Sequence, residues 1–131
     1  MALDPEHLDD AVLAFLAERH LATVTVLRGD SSPHVTPVGF TWDDEAGLAR
    51  VITWSGAAKV AHLERGDAPR AAVCQVDGGR WLTLEGPATV TDDPDRCAEA
   101  ESRYGKRYQA PKQRDDRRVI EIRVDKILGR A

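Results

Sequence analysis

Apolar positions recur along this chain with two different periods. Val12, Phe15 and Leu16 fall three and four residues apart, with Leu13 beside them. That spacing puts one apolar stripe on a helix, and Asp9 or Asp10 stands where an N-cap belongs. The helix is predicted to end near Arg19-His20. From Leu21 to Leu27 the chain becomes rich in Val and Thr and reads as a strand. Arg28-Gly29-Asp30-Ser31 is a turn, so a hairpin follows. Its second strand opens at Pro33 and runs through Val35, Val38 and Phe40 to about Trp42. A polar turn, Asp43 to Gly47, leads to a third strand, Leu48 to Trp54. Ala57 to about Arg65 reads as a short helix with Val60, Ala61 and Leu63 inward, and Gly66-Asp67-Ala68-Pro69 breaks it.

The second half repeats these signals. Arg70 to Val76 and Arg80 to Val90 are strands joined by the tight turn Asp77-Gly78-Gly79, and Gly86-Pro87 bends or bulges the second of them. A third helix starts at Asp92 or Asp93, carries Pro94 in its first turn, and runs to about Tyr104. Lys106 to Asp116 is basic and irregular. A last strand runs from Arg117 or Arg118 to Val124, alternating Val119, Glu121 and Arg123 with Ile120, Ile122 and Val124. No element is predicted from Asp125 to Ala131. Six strands linked mostly by tight turns, with three helices, predict a mainly β fold with peripheral helices: a small antiparallel barrel, closed or partly closed. The strands follow one another too closely for repeated parallel crossovers. Residues 1–131 are expected to form one domain.

Composition narrows the function classes. The chain holds 22 acidic and 18 basic residues, a net charge of −4, with no basic stripe interleaved with aromatics. Nucleic acid is therefore not expected as a partner. The acidic start, Met-Ala-Leu-Asp-Pro-Glu, is unlike a signal peptide, and no apolar run is long enough to cross a bilayer. The expectation is a soluble cytoplasmic protein. Cys74 and Cys97 lack metal or redox spacing, as do His7, His20, His34 and His62. No metal site is expected.

One segment carries chemistry by itself. A strand ends at Trp54, turns through Ser55-Gly56, and opens a helix bearing Lys59 in its first turn. Free N–H groups at Ala57 and Ala58, the helix dipole and one cation favour a phosphate. An ordinary strand-to-helix turn with a solvated lysine has the same letters. Arg103, Lys106, Arg107, Lys112, Arg114, Arg117 and Arg118 form the one basic concentration. They either attract an acidic ligand or balance the acidic run Asp92, Asp93, Asp95, Glu99 and Glu101. No nucleophilic triad or carboxylate pair is legible, so no catalytic side chain is assigned.

The order of elements, with Phe15-Leu16-Ala17-Glu18-Arg19-His20, Ser32-Pro33-His34-Val35, Arg50-Val51-Ile52-Thr53, Gln75-Val76-Asp77-Gly78, Leu84-Glu85-Gly86 and Arg117-Arg118-Val119-Ile120-Glu121, resembles the split β-barrel superfamily of pyridoxamine 5′-phosphate oxidases. Within it the chain is similar to the branch that uses the deazaflavin F420, including the actinobacterial biliverdin-reductase-like proteins. The FMN-using members carry an Arg and a Lys where this chain has Pro33 and Val38, and some an Arg where it has Ala57. The resemblance therefore implies F420, with FMN as the alternative cofactor. It implies an F420H2-dependent reductase of a planar conjugated substrate such as biliverdin or a related tetrapyrrole. The alternatives are a non-catalytic F420-binding or storage protein and an FMN-binding oxidoreductase.

On that footing Lys59 with the Ala57 and Ala58 amides grips the cofactor phosphate. Thr36, Pro37 and Val38 lie against Ile52, Thr53 and Trp54 on adjacent strands of one hairpin and line a slot for the ring. Gln75 meets a ring edge, Arg80 meets a phosphate or substrate carboxylate, and Trp81 packs on the ring. Arg107 and Arg117 meet substrate carboxylates, the cofactor carries the hydride, and solvent or an Arg-polarised water gives the proton. The superfamily's habit implies a homodimer with the site between subunits.

Overall fold

The computed structural model describes residues 2–131. Three helices, α1 (Asp10–Ala17), α2 (Ala58–Arg65) and α3 (Pro94–Arg107), surround a nine-stranded antiparallel sheet. The strands are β1 (Ala2–Leu3), β2 (Ala22–Leu27), β3 (Pro33–Val38), β4 (Thr41–Asp43), β5 (Leu48–Trp54), β6 (Arg70–Asp77), β7 (Arg80–Thr91), β8 (Arg117–Arg123) and β9 (Lys126–Arg130). Asp9 caps α1 through its carboxylate on the Val12 amide, and Asp93 caps α3 on the Arg96 amide.

The sheet order is β3-β2-β6-β7-β8-β5-β4, with β9 paired to β7 and β1 to β9. β7 makes the curvature. Arg80 to Pro87 pair with β6, whereas Ala88 to Thr91 pair with β8. The bend falls at Gly86-Pro87, where a Cβ on residue 86 would sit 1.9 Å from the Arg123 carbonyl oxygen. The curved sheet wraps a core of Phe15, Val24, Phe40, Val51, Leu82, Leu84, Ile120, Ile122 and Ile127, each fully buried. Each such side chain contributes about 1.5–3 kcal/mol relative to exposure.

The path ends at β3 and β4, so the barrel is split, as the family resemblance implies. Four other expectations change here. The run from Pro33 to Trp42 is two strands, because the chain turns at Gly39-Phe40 and leaves β2 for β5. The last residues form β9 against β7, admitted by Gly129, whose φ of 135° and missing Cβ let it lie on the Trp81 carbonyl. α3 continues through Lys106 and Arg107, and α1 stops at Ala17. Among the described residues no helix is long and apolar enough to cross a membrane.

Candidate functional site

The split brings β3 and β5 face to face. They are not hydrogen-bonded neighbours, since β3 pairs only with β2, and β5 pairs with β4 and β8. This corrects the single-hairpin expectation and leaves a cleft of about 590 Å³ between them. One wall is Pro37, Val38 and Gly39 with Leu21; the other is Ile52, Thr53 and Trp54 with Lys59. Tyr104 of α3, residues 109–112 and Arg114 of the following loop, and Arg117 complete it.

The cleft is apolar in its walls and cationic at its rim. Lys59 is half-buried, and burial lowers its pKa. Its ammonium lies 5.6 Å from the Trp54 ring centroid, and no carboxylate is within ion-pair distance among the described residues. The Arg114 guanidinium lies 5.1 Å from the same centroid and pairs with Asp116 at 2.8 Å. Arg117 is nearly buried and spends its three nitrogens on Glu101, the Thr53 carbonyl and the Lys112 carbonyl. It thereby pins the loop to β5, as does the Ser55 amide on the Asp116 carbonyl at 2.9 Å. Among the described residues no Asp, Glu or His lines the cleft.

Two buried hydroxyls, one in the cleft lining and one next to it, lack a partner among the described residues. The Thr53 hydroxyl is buried, in a residue 2% exposed, and has no hydrogen-bond partner. The Thr36 hydroxyl, one residue before Pro37, is likewise buried and unpartnered, but Thr36 is not among the residues that line the cleft, contrary to expectation. Such groups rarely stay unsatisfied. A half-buried ammonium beside an orphaned hydroxyl and an apolar slot fits an anionic group joined to a planar ring with a polar edge. The helix start is less open than the sequence suggests. The Ala57 amide donates to the Trp54 carbonyl, so the free amides begin at Ala58 and Lys59. Ala57 itself is buried.

Neither Ala57 nor Ala58 is among the lining residues, and four further expected site residues lie elsewhere in the fold. Gln75 is fully buried; its amide donates to the Phe15 carbonyl and its oxygen accepts from Arg107. Arg107 also donates to the carbonyls of Glu18 and Phe40 and stacks on Phe40, so it closes α3 onto the barrel. Arg80 bridges Glu18 and Asp77 over the Phe15 ring. Held by Arg80 first and then by His20, the Glu18 carboxyl is lowered to about 2. Trp81 lies on β7, paired across to Val76 and Arg130, away from the cleft. Of the other basic residues, Arg103 pairs with Glu99 and Asp43, so part of the cluster does balance α3's acids. His62 lies against His34, with ring centroids 5.2 Å apart and planes tilted by 58°.

Tyr104, Leu21 and Gly39 carry no motif, and the sequence does not single them out. Their signals are weak: an exposed Leu at a strand start, and a Gly where a Cβ would come within 3.0 Å of two tyrosine rings.

Residues 8–131 match the family model described as pyridoxamine 5′-phosphate oxidase. The chain belongs to the pyridoxamine 5′-phosphate oxidase family. It is 49% identical over 124 residues, 95% of its own length and 89% of the other's, to an F420H(2)-dependent biliverdin reductase of Mycobacterium tuberculosis. Other members of this fold superimpose at lower identity. A conserved hypothetical protein of Mycobacterium tuberculosis has a TM-score of 0.77 at 20% identity, covering 94% of this chain and 84% of that one. A protein described as an F420 reductase has a TM-score of 0.73 at 19% identity, covering 92% and 98%.

Proposed function

We propose that this member of the family is an F420H2-dependent reductase that passes a hydride to a planar, conjugated, carboxylate-bearing acceptor, biliverdin or a related tetrapyrrole foremost. The observation that carries the reading is the cleft itself: apolar walls, an unpaired half-buried Lys59, and an orphaned Thr53 hydroxyl between them. The 49% identity to an F420H(2)-dependent biliverdin reductase supports the choice of cofactor and acceptor.

Lys59, with the Ala58 amide, would hold the cofactor phosphate. Pro37, Val38, Ile52 and Trp54 would sandwich the ring, with Thr53, and Thr36 behind it, toward its polar edge. When bound, the reduced deazaflavin supplies the hydride. The protein's task is to hold two flat molecules in register and keep bulk water from between them. Lys112 and Arg114 at the rim face the acceptor's carboxylates, with Arg117 fixing their loop. Val38 and Ala57, uncharged where FMN-using relatives carry cations, leave the phosphate end to Lys59, which favours F420 over FMN.

The cleft is completed by a second copy of the chain. The outer face of β3, β2 and β6 is uncovered. Val35, Leu27 and Val76 on it are 53%, 54% and 61% exposed. Register places Pro33, Val35 and Pro37 beside Leu27, Thr25 and Thr23, and these last two beside Ala72 and Cys74. This face runs into the cleft through Leu21, 69% exposed, and Pro37. Contiguous apolar surface of this kind marks an interface, and a self-complementary patch closes as a twofold dimer.

Titration of the protein with F420 and with FMN, followed by turnover of biliverdin with F420H2, tests the reading. The expected result is F420 binding and turnover. Tight FMN binding without F420 affinity overturns it, and F420 binding without turnover of any acceptor reduces the protein to a carrier.

A further inference from the structure

Reduction of a conjugated acceptor by hydride leaves a negative charge on one of the acceptor's heteroatoms, and a proton must arrive there. The usual donors are missing here, since among the described residues no carboxyl or imidazole lines the cleft. Its side chains that carry a transferable N–H or O–H next to the apolar walls include Lys59, Lys112 and Tyr104. A lysine that gave its proton away would lose the charge for which the rim is built. Tyr104 is neutral before donation and has no such conflict.

The ring of Tyr104 is held in place. It stacks on Tyr108 with centroids 4.8 Å apart and planes at 37°. Both rings press on the backbone of Gly39, where a Cβ would stand 2.9 Å from Tyr108 Cε2 and 3.0 Å from Tyr104 Cε2. Tyr108 is fixed in turn, donating to the His20 carbonyl and accepting from the Phe40 amide. Its hydroxyl is used up in this way. The Tyr104 hydroxyl, by contrast, has no hydrogen-bond partner among the described residues, and Tyr104 lines the same cleft as Lys59 and Arg117. A rigid phenol with an uncommitted O–H, in a cleft ringed by cations, has the form of a general acid.

We propose that Tyr104 hydrogen-bonds the acceptor and delivers the proton that accompanies its reduction. This rests on the reductase reading above. The acceptor gains a hydride at carbon, which carries the two electrons of the reduction, from the reduced cofactor, which is thereby oxidised by two electrons. The phenol O–H bond breaks as a heteroatom–H bond forms on the acceptor, and solvent returns a proton to the phenolate. Gly39 acts through Tyr104 as a positioning residue.

The experiment compares wild type with Y104F, which keeps the stacked ring and removes only the hydroxyl. Three quantities are read: F420 affinity, the absorption spectrum of biliverdin bound without turnover, and kcat with F420H2 across pH. Y104F is expected to bind F420 as wild type does and to show a shifted spectrum of bound biliverdin. Its kcat should fall roughly 10²-fold, and small added acids in the buffer should restore part of it. G39A, with the hydroxyl kept but the ring displaced, should lose kcat in the same direction. A Y104F protein with unchanged kcat and an unchanged bound spectrum overturns the inference while leaving the reductase reading intact. A wild type that reduces no acceptor with F420H2 overturns both.

Discussion

Lys59 and Arg107 are both half-buried cations, yet they end in opposite situations. Burial lowers the pKa of each. Arg107 regains the cost through Glu18, Phe40 and Gln75, three oxygens fixed in space. Lys59 has only the face of Trp54. A desolvated charge without a partner is a strong anion site, so replacing Lys59 should cost a phosphate-bearing ligand more than replacing a surface lysine would. Lys59→Ala should weaken F420 binding by about 1.5–3 kcal/mol, measured by fluorescence titration. An unchanged dissociation constant would return Lys59 to solvent. In the sequence the two residues have equal standing, both basic and both near helix ends. The difference was not legible because Arg107's partners lie 32, 67 and 89 residues away along the chain.

At the scale of elements, most of the order was readable and most of the pairing was not. The alternation in β2, β5, β6 and β8 and the turns between strands are local signals, and they predicted element type correctly. β9 escaped because a short strand at the chain end with a Gly inside it resembles a tail. Its inward positions, Ile127 and Gly129, make sense only against β7. Gly86 shows the same dependence. The sequence marked a bend there, but the reason is the Arg123 carbonyl, brought within 1.9 Å of the absent Cβ by the crossing of β7 onto β8. Since that neighbour is backbone and cannot turn aside, Gly86→Ala should destabilise the fold by about 2–4 kcal/mol. Urea denaturation reads this as a lower midpoint at constant slope. A midpoint within error of wild type would mean that β7 bends for another reason.

For the whole molecule, the proposed dimer turns on one sheet face. α1 and α3 cover the β4 side and α2 lies over β2 and β7, but the outer face of β3, β2 and β6 is left bare. Val35→Asp, placed in the middle of that face, should convert a dimer into a folded monomer in sedimentation velocity and weaken F420 binding with it. Cys74 reports the same event: it lies on that face, so a maleimide should label it slowly in wild type and quickly in the variant, while buried Cys97 stays protected in both. Wild type that sediments as a monomer at micromolar concentration would overturn the dimer.

The sequence by itself determined the helices, the strands, their order and the family to which they belong. Periodicity, caps and turn residues act over a few positions and are written in consecutive letters. It also placed Lys59, Ile52, Thr53 and Trp54 on one strand-turn-helix unit. Only the tertiary structure decided that Pro37 and Val38 face that unit across a split, and that Tyr104 and the loop after it close the third side. It alone separated the spent polar groups, Gln75, Arg80 and Arg107, from the unspent ones, Lys59, Thr53 and Tyr104. Whether a polar group is free depends on which distant atoms its burial brings within hydrogen-bond reach, and that is settled only when the chain has closed on itself.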